Sequence, residues 1–131
     1  MKRVLVLVVD DDDGIVDFIS SCLKTAGFDV LTAFNGRDGC KIAAESRPDM
    51  VILDLMMPDM HGFEVCQKLR EDGTLKGVKI VISSGKSYSV DVKSALRLGA
   101  DAYLTKPYTA ESLLKTVQQV LSGGGAPPPA E

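Results

Sequence analysis

Hydrophobic residues along the chain alternate between short, mostly apolar runs and longer stretches with helical spacing. The short runs cover residues 3–9, 29–33, 50–53, 78–82 and 102–105. Short runs of leucine and β-branched residues are typical of strands buried on both faces of a parallel sheet. The pattern therefore predicts five strands, each separated from the next by a helix.

In the stretches between these runs, apolar residues recur every three or four positions, as they do on the buried face of an amphipathic helix. The first helix has the stripe Ile15, Phe18, Ile19, Cys22, Leu23 and Ala26. The third and fourth have the stripes Val65, Cys66 and Leu69, and Val92, Ala95 and Leu96. The fifth has Leu113, Leu114, Val117, Val120 and Leu121. Each stripe is expected to face the sheet.

Residues with capping preferences stand at the expected helix ends. Asp12 or Asp13 can cap the start of the first helix, because a short acidic side chain accepts hydrogen bonds from the free amides there. Gly27 can end that helix, since glycine adopts the left-handed conformation easily. The other boundaries are marked by Asn35-Gly36 and Pro48 around the second helix, Gly99 after the fourth and Thr109 before the fifth.

Strict alternation of strands and helices predicts an α/β fold, a doubly wound five-stranded parallel sheet with five helices. Sheets of this size commonly have the flavodoxin-like strand order 2-1-3-4-5, with a ligand site at the carboxyl ends of the strands. Residues 122–131 are rich in glycine and proline and have little to bury. We therefore expect one domain over residues 1–121, followed by a flexible tail or linker.

Composition and charge restrict the classes of function. The chain has 131 residues and a net charge of −3, with no basic stripe to follow a nucleic-acid backbone. No apolar run approaches the roughly 20 residues that a membrane-spanning helix needs. The three cysteines, Cys22, Cys40 and Cys66, lack metal-binding spacing and are expected to pack in the core. We expect a cytoplasmic domain that binds neither nucleic acid nor membrane directly.

Polar residues that no apolar stripe explains stand at the ends of four predicted strands. Asp10 and Asp11 follow the first strand and Asp54 follows the third. Ser84 follows the fourth and Lys106 follows the fifth. Because the carboxyl ends of parallel strands share one edge of the sheet, these five residues are expected to converge on one pocket.

The chemistry of this pocket is predicted from its charges. Three carboxylates brought together repel one another, so their ionised forms need a cation. Only hard oxygen ligands are available, which favours Mg²⁺ over zinc. Lys106 can hold a phosphoryl oxygen and Ser84 can donate a hydrogen bond to one. The set is typical of a site that forms an aspartyl phosphate.

Four segments resemble the motifs of the response-regulator receiver family of two-component signalling, including its chemotaxis-regulator-like members. They are VVDD at residues 8–11, DLMMPDMHG at 54–62, SG at 84–85 and GADAYLTKPY at 99–108. Each includes the end of a predicted strand, and the resemblance extends from Val4 to about Leu121. It leaves open whether the chain acts alone or belongs to a longer regulator.

The resemblance implies that Asp54 accepts a phosphoryl group from a sensor histidine kinase or a phosphotransfer protein. It implies that Asp11, Asp54 and the backbone carbonyl of Met56 bind Mg²⁺, with Asp10 contributing directly or through water. The domain is then a signalling switch, not an enzyme, with only self-phosphorylation from small donors and autodephosphorylation expected. The kinase and the output domain or target protein are not identified by the sequence.

The resemblance also assigns the residues of the switch. Lys106 is expected to pair with the Asp54 carboxylate and then with the phosphoryl group. Ser84 would move toward a phosphoryl oxygen and Tyr103 would swing inward behind it. The distal face formed by the fourth helix, fifth strand and fifth helix would then change. The Lys106–Pro107 bond is expected to be cis, a form that X-Pro bonds adopt at small cost.

Other polar residues near the site are expected to have structural roles. Asp12 and Asp13 are interpreted as helix caps or solvated residues, not as further metal ligands. His61 has no acid or nucleophile partner in the sequence, which favours an exposed loop residue.

Three other functions fit parts of the pattern. A haloacid-dehalogenase-like phosphatase also uses an aspartyl nucleophile, but it needs an acid two residues later, where Met56 stands. A nucleotide-binding domain would need a glycine-rich loop after the first strand, where residues 10–13 would repel phosphate. A receiver without phosphorylation would not need the complete set of site residues. The phosphatase is therefore the alternative to the switch.

Overall fold

The computed structural model describes residues 3–75, 77–85, 93, 94 and 96–123. The label α4 denotes its helical residues 93, 94, 96 and 97. The other elements are β1 (Leu5–Val9), α1 (Asp13–Thr25), β2 (Asp29–Ala33), α2 (Gly36–Ser46), β3 (Met50–Asp54), α3 (Gly62–Glu71), a 3-10 turn (Gly73–Leu75), β4 (Lys79–Ser84), β5 (Ala102–Thr105) and α5 (Ala110–Leu121). Val92 and Ala95 of the predicted fourth stripe, and residues 124–131 of the predicted tail, lie outside the described residues.

The strands form one parallel sheet in the order β2-β1-β3-β4-β5. The predicted α/β fold class and the strand order 2-1-3-4-5 are therefore confirmed. Between β1 and β3 the connections leave toward opposite faces of the sheet, which opens a crevice at the carboxyl ends of these strands. Asp10 follows β1 at this crevice and Asp54 ends β3 there.

Two apolar cores lie on the two faces of the sheet, because successive residues of a strand point to opposite sides. Leu7 and Val9 of β1 pack with α2 and α3 on one face. Val6 and Val8 pack with α1 and α5 on the other face. Both faces of the central strands are thus covered, which explains why their sequences are apolar throughout.

The buried face of α1 differs from the predicted stripe. Ile19 and Leu23 are buried as expected, whereas Phe18 is 39% exposed. Val16 and Ser20 complete the face that contacts the sheet. Phe18 instead lies beside the ring of a residue distant in sequence, so its partial burial could not be predicted from helical spacing.

The strand boundaries shift at the site. β1 begins at Leu5, not at residue 3, and β4 runs from Lys79 to Ser84 instead of ending at residue 82. The extension of β4 follows from pairing, since Ser83 lies opposite Asp54 and Ser84 lies opposite Thr105. Two polar residues are therefore part of the sheet beside the crevice.

The structure also contains the expected caps and the cis peptide. Asp12 caps α1 and Thr109 caps α5, each accepting from free backbone amides. Gly27 and Gly99 have φ angles of 98° and 104°, in the region that favours glycine. The Lys106–Pro107 bond is cis.

Partly exposed side chains correct two further expectations. Cys66 is buried as predicted, whereas Cys22 and Cys40 pack against the two cores but are only partly buried. Leu96 of the predicted fourth stripe is 37% exposed. Among the described residues, no helix combines the length and the apolar character that crossing a membrane requires.

Candidate functional site

An open cleft of about 410 Å³ lies at the carboxyl edge of the sheet. Its lining includes all five residues expected to converge, which are Asp10, Asp11, Asp54, Ser84 and Lys106. Asp12, Met56 and Gly85 complete the lining. The cleft therefore collects residues from the ends of β1, β3, β4 and β5, as the parallel topology requires.

Lys106 connects two of the carboxylates. Its Nζ lies 2.9 Å from Oδ2 of Asp10 and 3.1 Å from Oδ1 of Asp54. Both carboxylates are nearly excluded from solvent, with Asp10 at 2% and Asp54 at 5% exposure. One ammonium group thus bridges two buried carboxylates, and it compensates only part of their charge.

Asp10 is fixed at both of its oxygens. While Oδ2 accepts from Lys106, Oδ1 accepts from the backbone amide of Asp12 at 2.9 Å. The Asp12 carboxylate in turn caps α1 by accepting from Gly14 at 2.9 Å and Ile15 at 3.2 Å. The acidic run after β1 therefore both orients Lys106 and starts the helix. The interpretation of Asp12 as a cap agrees with these contacts.

The environment of Asp54 raises the pKa of its carboxyl to about 6. Removal from water is the largest cause, and the charge of Asp10 adds to it. Lys106 acts in the opposite direction through its charge and its hydrogen bond. The ionised cluster consequently carries unfavourable repulsion that a further cation could relieve.

Lys106 stays positively charged despite its partial burial. Desolvation opposes the charge, but the hydrogen bond to Asp10 and the charges of Asp54 and Asp10 outweigh it, so the pKa of Lys106 is raised. The ammonium is therefore available as a fixed positive charge at neutral pH.

The three carboxylates also fit a small hard cation. One oxygen each of Asp10, Asp11 and Asp54 lie within 4.8 Å of one another. Asp11 is exposed and can be reached from solvent, while the other two are buried. Met56, whose carbonyl is the fourth predicted ligand, lines the same cleft with a side chain that is 55% exposed. All-oxygen donors of this kind suit Mg²⁺.

The two predicted switch residues lie on the same face of the sheet, and Ser84 lines the cleft. Ser84 is 1% exposed and its carbonyl accepts from the backbone amide of Lys106 at 2.7 Å. Tyr103 is 5% exposed and packs in the core that includes Ile82 and Leu98. Tyr103 does not line the cleft.

Two residues of the segment after β3 have roles that the sequence pattern did not reveal. A Cβ atom on Gly62 would lie 2.5 Å from the carbonyl oxygen of Asp54, so only glycine lets α3 start this close to the site. Asp59 accepts from the backbone amides of Gly36 and Arg37, both at 3.0 Å, and so adds a second cap to α2 beside its N-cap residue Asn35. These bonds lower the pKa of Asp59.

Other contacts near the site were likewise missing from the sequence interpretation. The hydroxyl of Tyr108 lies 3.1 Å from Oγ of Ser83, on the face of the sheet opposite to Tyr103. His61 is exposed as expected, but its Nδ1 accepts from the amide of Phe63 at 3.2 Å and so helps to begin α3. The Tyr108 contact joins residues 25 positions apart, so no local pattern marks it, whereas the His61 contact is a local helix cap.

Comparison with known sequences identifies the family. The sequence model for the response regulator receiver domain matches residues 6–118. The chain belongs to the response regulator receiver family. It is thus a receiver domain of two-component signalling, a signalling domain and not a classical enzyme. The match favours this interpretation over the phosphatase alternative.

Individual relatives differ in how much of their length the receiver spans. The chain is 36% identical over 118 residues to protein PilH of Pseudomonas aeruginosa, covering 90% of this chain and 98% of PilH. It is 38% identical over 116 residues to the DNA-binding dual master transcriptional regulator RpaA of Synechocystis, covering 88% of this chain. That match spans only 48% of RpaA, so the chain is about half the length of such relatives.

Solved structures of receivers match the fold closely. The chemotaxis protein CheY4 of Vibrio cholerae superposes with a TM-score of 0.88 at 34% identity, covering 91% of this chain and 99% of CheY4. The BeF3-activated DrrB receiver domain superposes with a TM-score of 0.82 at 32% identity, covering 92% of this chain and 99% of DrrB's. Both the sequence and the fold therefore agree with membership of the receiver family.

Proposed function

We propose that this receiver is a phosphoacceptor switch in which Asp54 takes a phosphoryl group from a histidine kinase or phosphotransfer protein. The observation that carries the proposal is the ammonium of Lys106, held at 3.1 Å from Asp54 and 2.9 Å from Asp10 beside Asp11. Such a cluster joins a nucleophilic carboxylate to a fixed positive charge. Its members come from strand ends far apart in the chain.

The proposed step is an in-line displacement. Within the described residues, Oδ1 of Asp54 is hydrogen-bonded to Lys106, and Oδ2 has no hydrogen bond. A carboxylate oxygen of Asp54 forms a bond to phosphorus as the P–N bond of the donor phosphohistidine breaks, and the donor imidazole leaves with the electron pair. Lys106 then contacts a phosphoryl oxygen, and catalysis is mainly positioning and charge neutralisation.

We propose Mg²⁺ as the cofactor, held by Asp11, Asp54 and the carbonyl of Met56, with Asp10 directly or through water. When bound, Mg²⁺ supplies positive charge for the oxygens of the transferring group. The carboxylates of the chain must stay ionised to hold it. Asp10 also keeps Lys106 in place through the 2.9 Å contact.

Asp11→Ala is expected to remove the stabilisation by Mg²⁺ while leaving the metal-free protein equally or more stable. Asp11 is exposed and contributes negative charge to a repelling cluster, so its loss relieves strain but deletes a ligand. Thermal unfolding with Mg²⁺ and with a chelator measures both effects, because a ligand of the native state raises Tm by mass action. Asp13→Ala, at the neighbouring α1 position outside the cleft, is the control. A full Mg²⁺ shift in Asp11→Ala would assign the metal to other residues.

The proposed output is a change in the distal face formed by α4, β5 and α5. Phosphorylation adds about 1.5 to 2 negative charges and three acceptor oxygens. Ser84 lines the cleft, so its hydroxyl can turn to a phosphoryl oxygen. Tyr103, on the same face of the neighbouring strand, then responds by repacking. Such a population shift needs different contacts in the two states, which the phosphoryl group provides.

Ser84→Ala is expected to accept the phosphoryl group on Asp54 but to respond weakly at the distal face. The nucleophile and the metal ligands remain, whereas the hydroxyl that contacts the phosphoryl group is lost. Amide resonances of residues 96–105, recorded with and without the phosphoryl mimic beryllofluoride, measure the response. The shifts should fall to about half of the wild-type size or less, since losing a hydrogen bond of about 0.5–1.5 kcal/mol changes the ratio of the two states severalfold. Full-size shifts would exclude this hydroxyl as the carrier of the signal.

The experiment that tests the function is phosphorylation by acetyl phosphate with Mg²⁺, read by intact mass. We expect one acid-stable, hydroxylamine-sensitive adduct per chain, and none after chelation of the metal. Absence of any adduct from the wild-type chain would contradict the proposal.

We further propose that residues 1–121 form the receiver and that residues 122–131 are a tail or linker. The glycine and proline content of this segment supports a flexible connection. The match to PilH, which the chain spans almost completely, supports a receiver that acts alone. The match to RpaA supports one attached to an output domain. In either case we propose that the receiver acts in the cytoplasm and itself contacts neither nucleic acid nor membrane directly.

A further inference from the structure

Tyr108 lies outside the cleft, on the side of the sheet that faces α1 and α5. Its hydroxyl is hydrogen-bonded to Oγ of Ser83 at 3.1 Å. Its ring lies 6.3 Å from the ring of Phe18 on α1, measured between centroids. Ser83 is 1% exposed, and within the described residues its side chain has no other hydrogen-bond partner. The Tyr108 hydroxyl therefore satisfies a buried group next to the cleft.

Ser83 belongs to the strand that pairs with β3 beside Asp54. In the sheet, Ser83 of β4 lies directly opposite Asp54 of β3. Its carbonyl accepts from the backbone amide of Leu55 at 3.2 Å. A displacement of Ser83 would thus be felt at the phosphoacceptor as well as at Ser84.

The segment from Lys106 to Tyr108 is attached to the end of β4 at two points. The backbone amide of Lys106 donates to the carbonyl of Ser84 at 2.7 Å. Two residues later, Tyr108 reaches back to Ser83 through its hydroxyl. Between these attachments the chain directs the Lys106 ammonium to the two carboxylates, at 2.9 and 3.1 Å. Holding a long lysine side chain in one position costs rotamer freedom. The two attachments fix the backbone from which this side chain extends.

We propose that Tyr108 is a positioning residue for phosphoryl transfer, whose hydrogen bond to Ser83 holds Lys106 between Asp10 and Asp54. The inference rests on the proposed function, because it assigns Lys106 the role of meeting the transferring phosphoryl group. It deepens that function by adding a pair of residues on the face opposite to Ser84 and Tyr103. Small misplacements of a catalytic charge reduce the rate more than the binding of a small donor.

Tyr108→Phe and Ser83→Ala test the proposal with minimal change of shape. Each removes one hydroxyl and keeps the packing of the ring or the strand. Labelling by acetyl phosphate at saturating Mg²⁺ should slow about 3- to 10-fold at saturating donor, the range expected for one net hydrogen bond. The half-saturating donor concentration should change by less than about twofold, since the donor is not bound by either hydroxyl.

The double variant Tyr108→Phe/Ser83→Ala distinguishes a shared action from two independent effects. If the hydroxyls act as a pair, the double variant should be as slow as either single variant. Multiplied effects would contradict the pairing. Ser20→Ala is the matched control, because Ser20 is a buried serine of α1 whose hydroxyl has no partner within the described residues. It should label at the wild-type rate.

A second measurement uses metal-free protein and needs no phosphoryl transfer. The side-chain Cε resonance of Lys106 should shift or broaden in Tyr108→Phe and in Ser83→Ala, but not in Ser20→Ala. Unchanged resonances together with wild-type labelling rates would overturn the positioning role and leave Tyr108 as a packing residue. If the wild-type chain is not labelled at all, the proposed function fails instead, and the resonances still report whether Tyr108 orients Lys106.

Discussion

Asp54→Asn is expected to abolish labelling of the chain by acetyl phosphate in the presence of Mg²⁺. The amide has the size of the carboxylate but no anionic oxygen to attack phosphorus. The neighbouring Asp10 is engaged at both oxygens and cannot easily replace it. Intact mass should change from one adduct per chain to none. The effect is complete because the nucleophile itself is removed.

Asp59→Asn provides the matched control for this experiment. Asp59 follows the same strand and belongs to the same motif, but it caps α2 and does not line the cleft. Its variant should be labelled to the wild-type extent. Equal labelling of Asp54→Asn would assign the phosphoacceptor to another residue.

Asp54→Asn is also expected to stabilise the metal-free protein by up to about 3 kcal/mol at pH 7. The pKa of Asp54 is raised from 3.8 to about 6, chiefly by burial and then by the charge of Asp10. Ionising Asp54 in the folded state therefore costs free energy that ionising it in the unfolded chain does not. Asparagine resembles the neutral carboxyl and avoids this cost.

The sign of the pH dependence follows from the direction of the shift. Because the folded state binds the Asp54 proton more tightly than the unfolded state, protonation favours folding. The contribution of this carboxyl to stability is greatest below about pH 4 and declines as the pH rises through about 6. The advantage of Asp54→Asn over the wild type should grow across the same interval and then become constant.

Urea unfolding of the wild type and of Asp54→Asn, with a chelator present, measures the difference between their free energies of unfolding. Asp59 and Asp72 have lowered pKa values, so their contributions to stability fall as the pH decreases. Both proteins contain these residues, and the subtraction removes their effect. A difference that does not vary with pH would contradict the raised pKa of Asp54.

The order and type of the elements could be predicted from the sequence because they depend on local spacing. A continuous apolar run predicts a strand that is buried on both faces. A three- to four-residue apolar period predicts a helix that is buried on one face. Asp12 and Thr109 were recognisable as caps for the same reason, since a cap acts within its own first turn. The prediction of the buried face of α1 was less accurate, because Phe18 lies beside Tyr108 of a distant segment.

Which residues meet at the site could also be predicted from the sequence. Parallel strands bring their carboxyl ends to one edge, so Asp10, Asp11, Asp54, Ser84 and Lys106 could be expected there before their contacts were known. The family resemblance added roles to them, and the match over residues 6–118 confirms the family. The roles themselves remain proposals for experiment.

Only the tertiary structure decided how these residues are held. Lys106 is 96 residues from Asp10 and 52 from Asp54 in the chain, and Asp59 caps a helix that starts 23 residues earlier. Tyr108 reaches Ser83 across 25 residues. Such contacts depend on strand register, on the face to which each side chain points and on the loss of water around it. Register, side-chain direction and burial are fixed only when the strands and helices pack together, so no local sequence pattern encodes them.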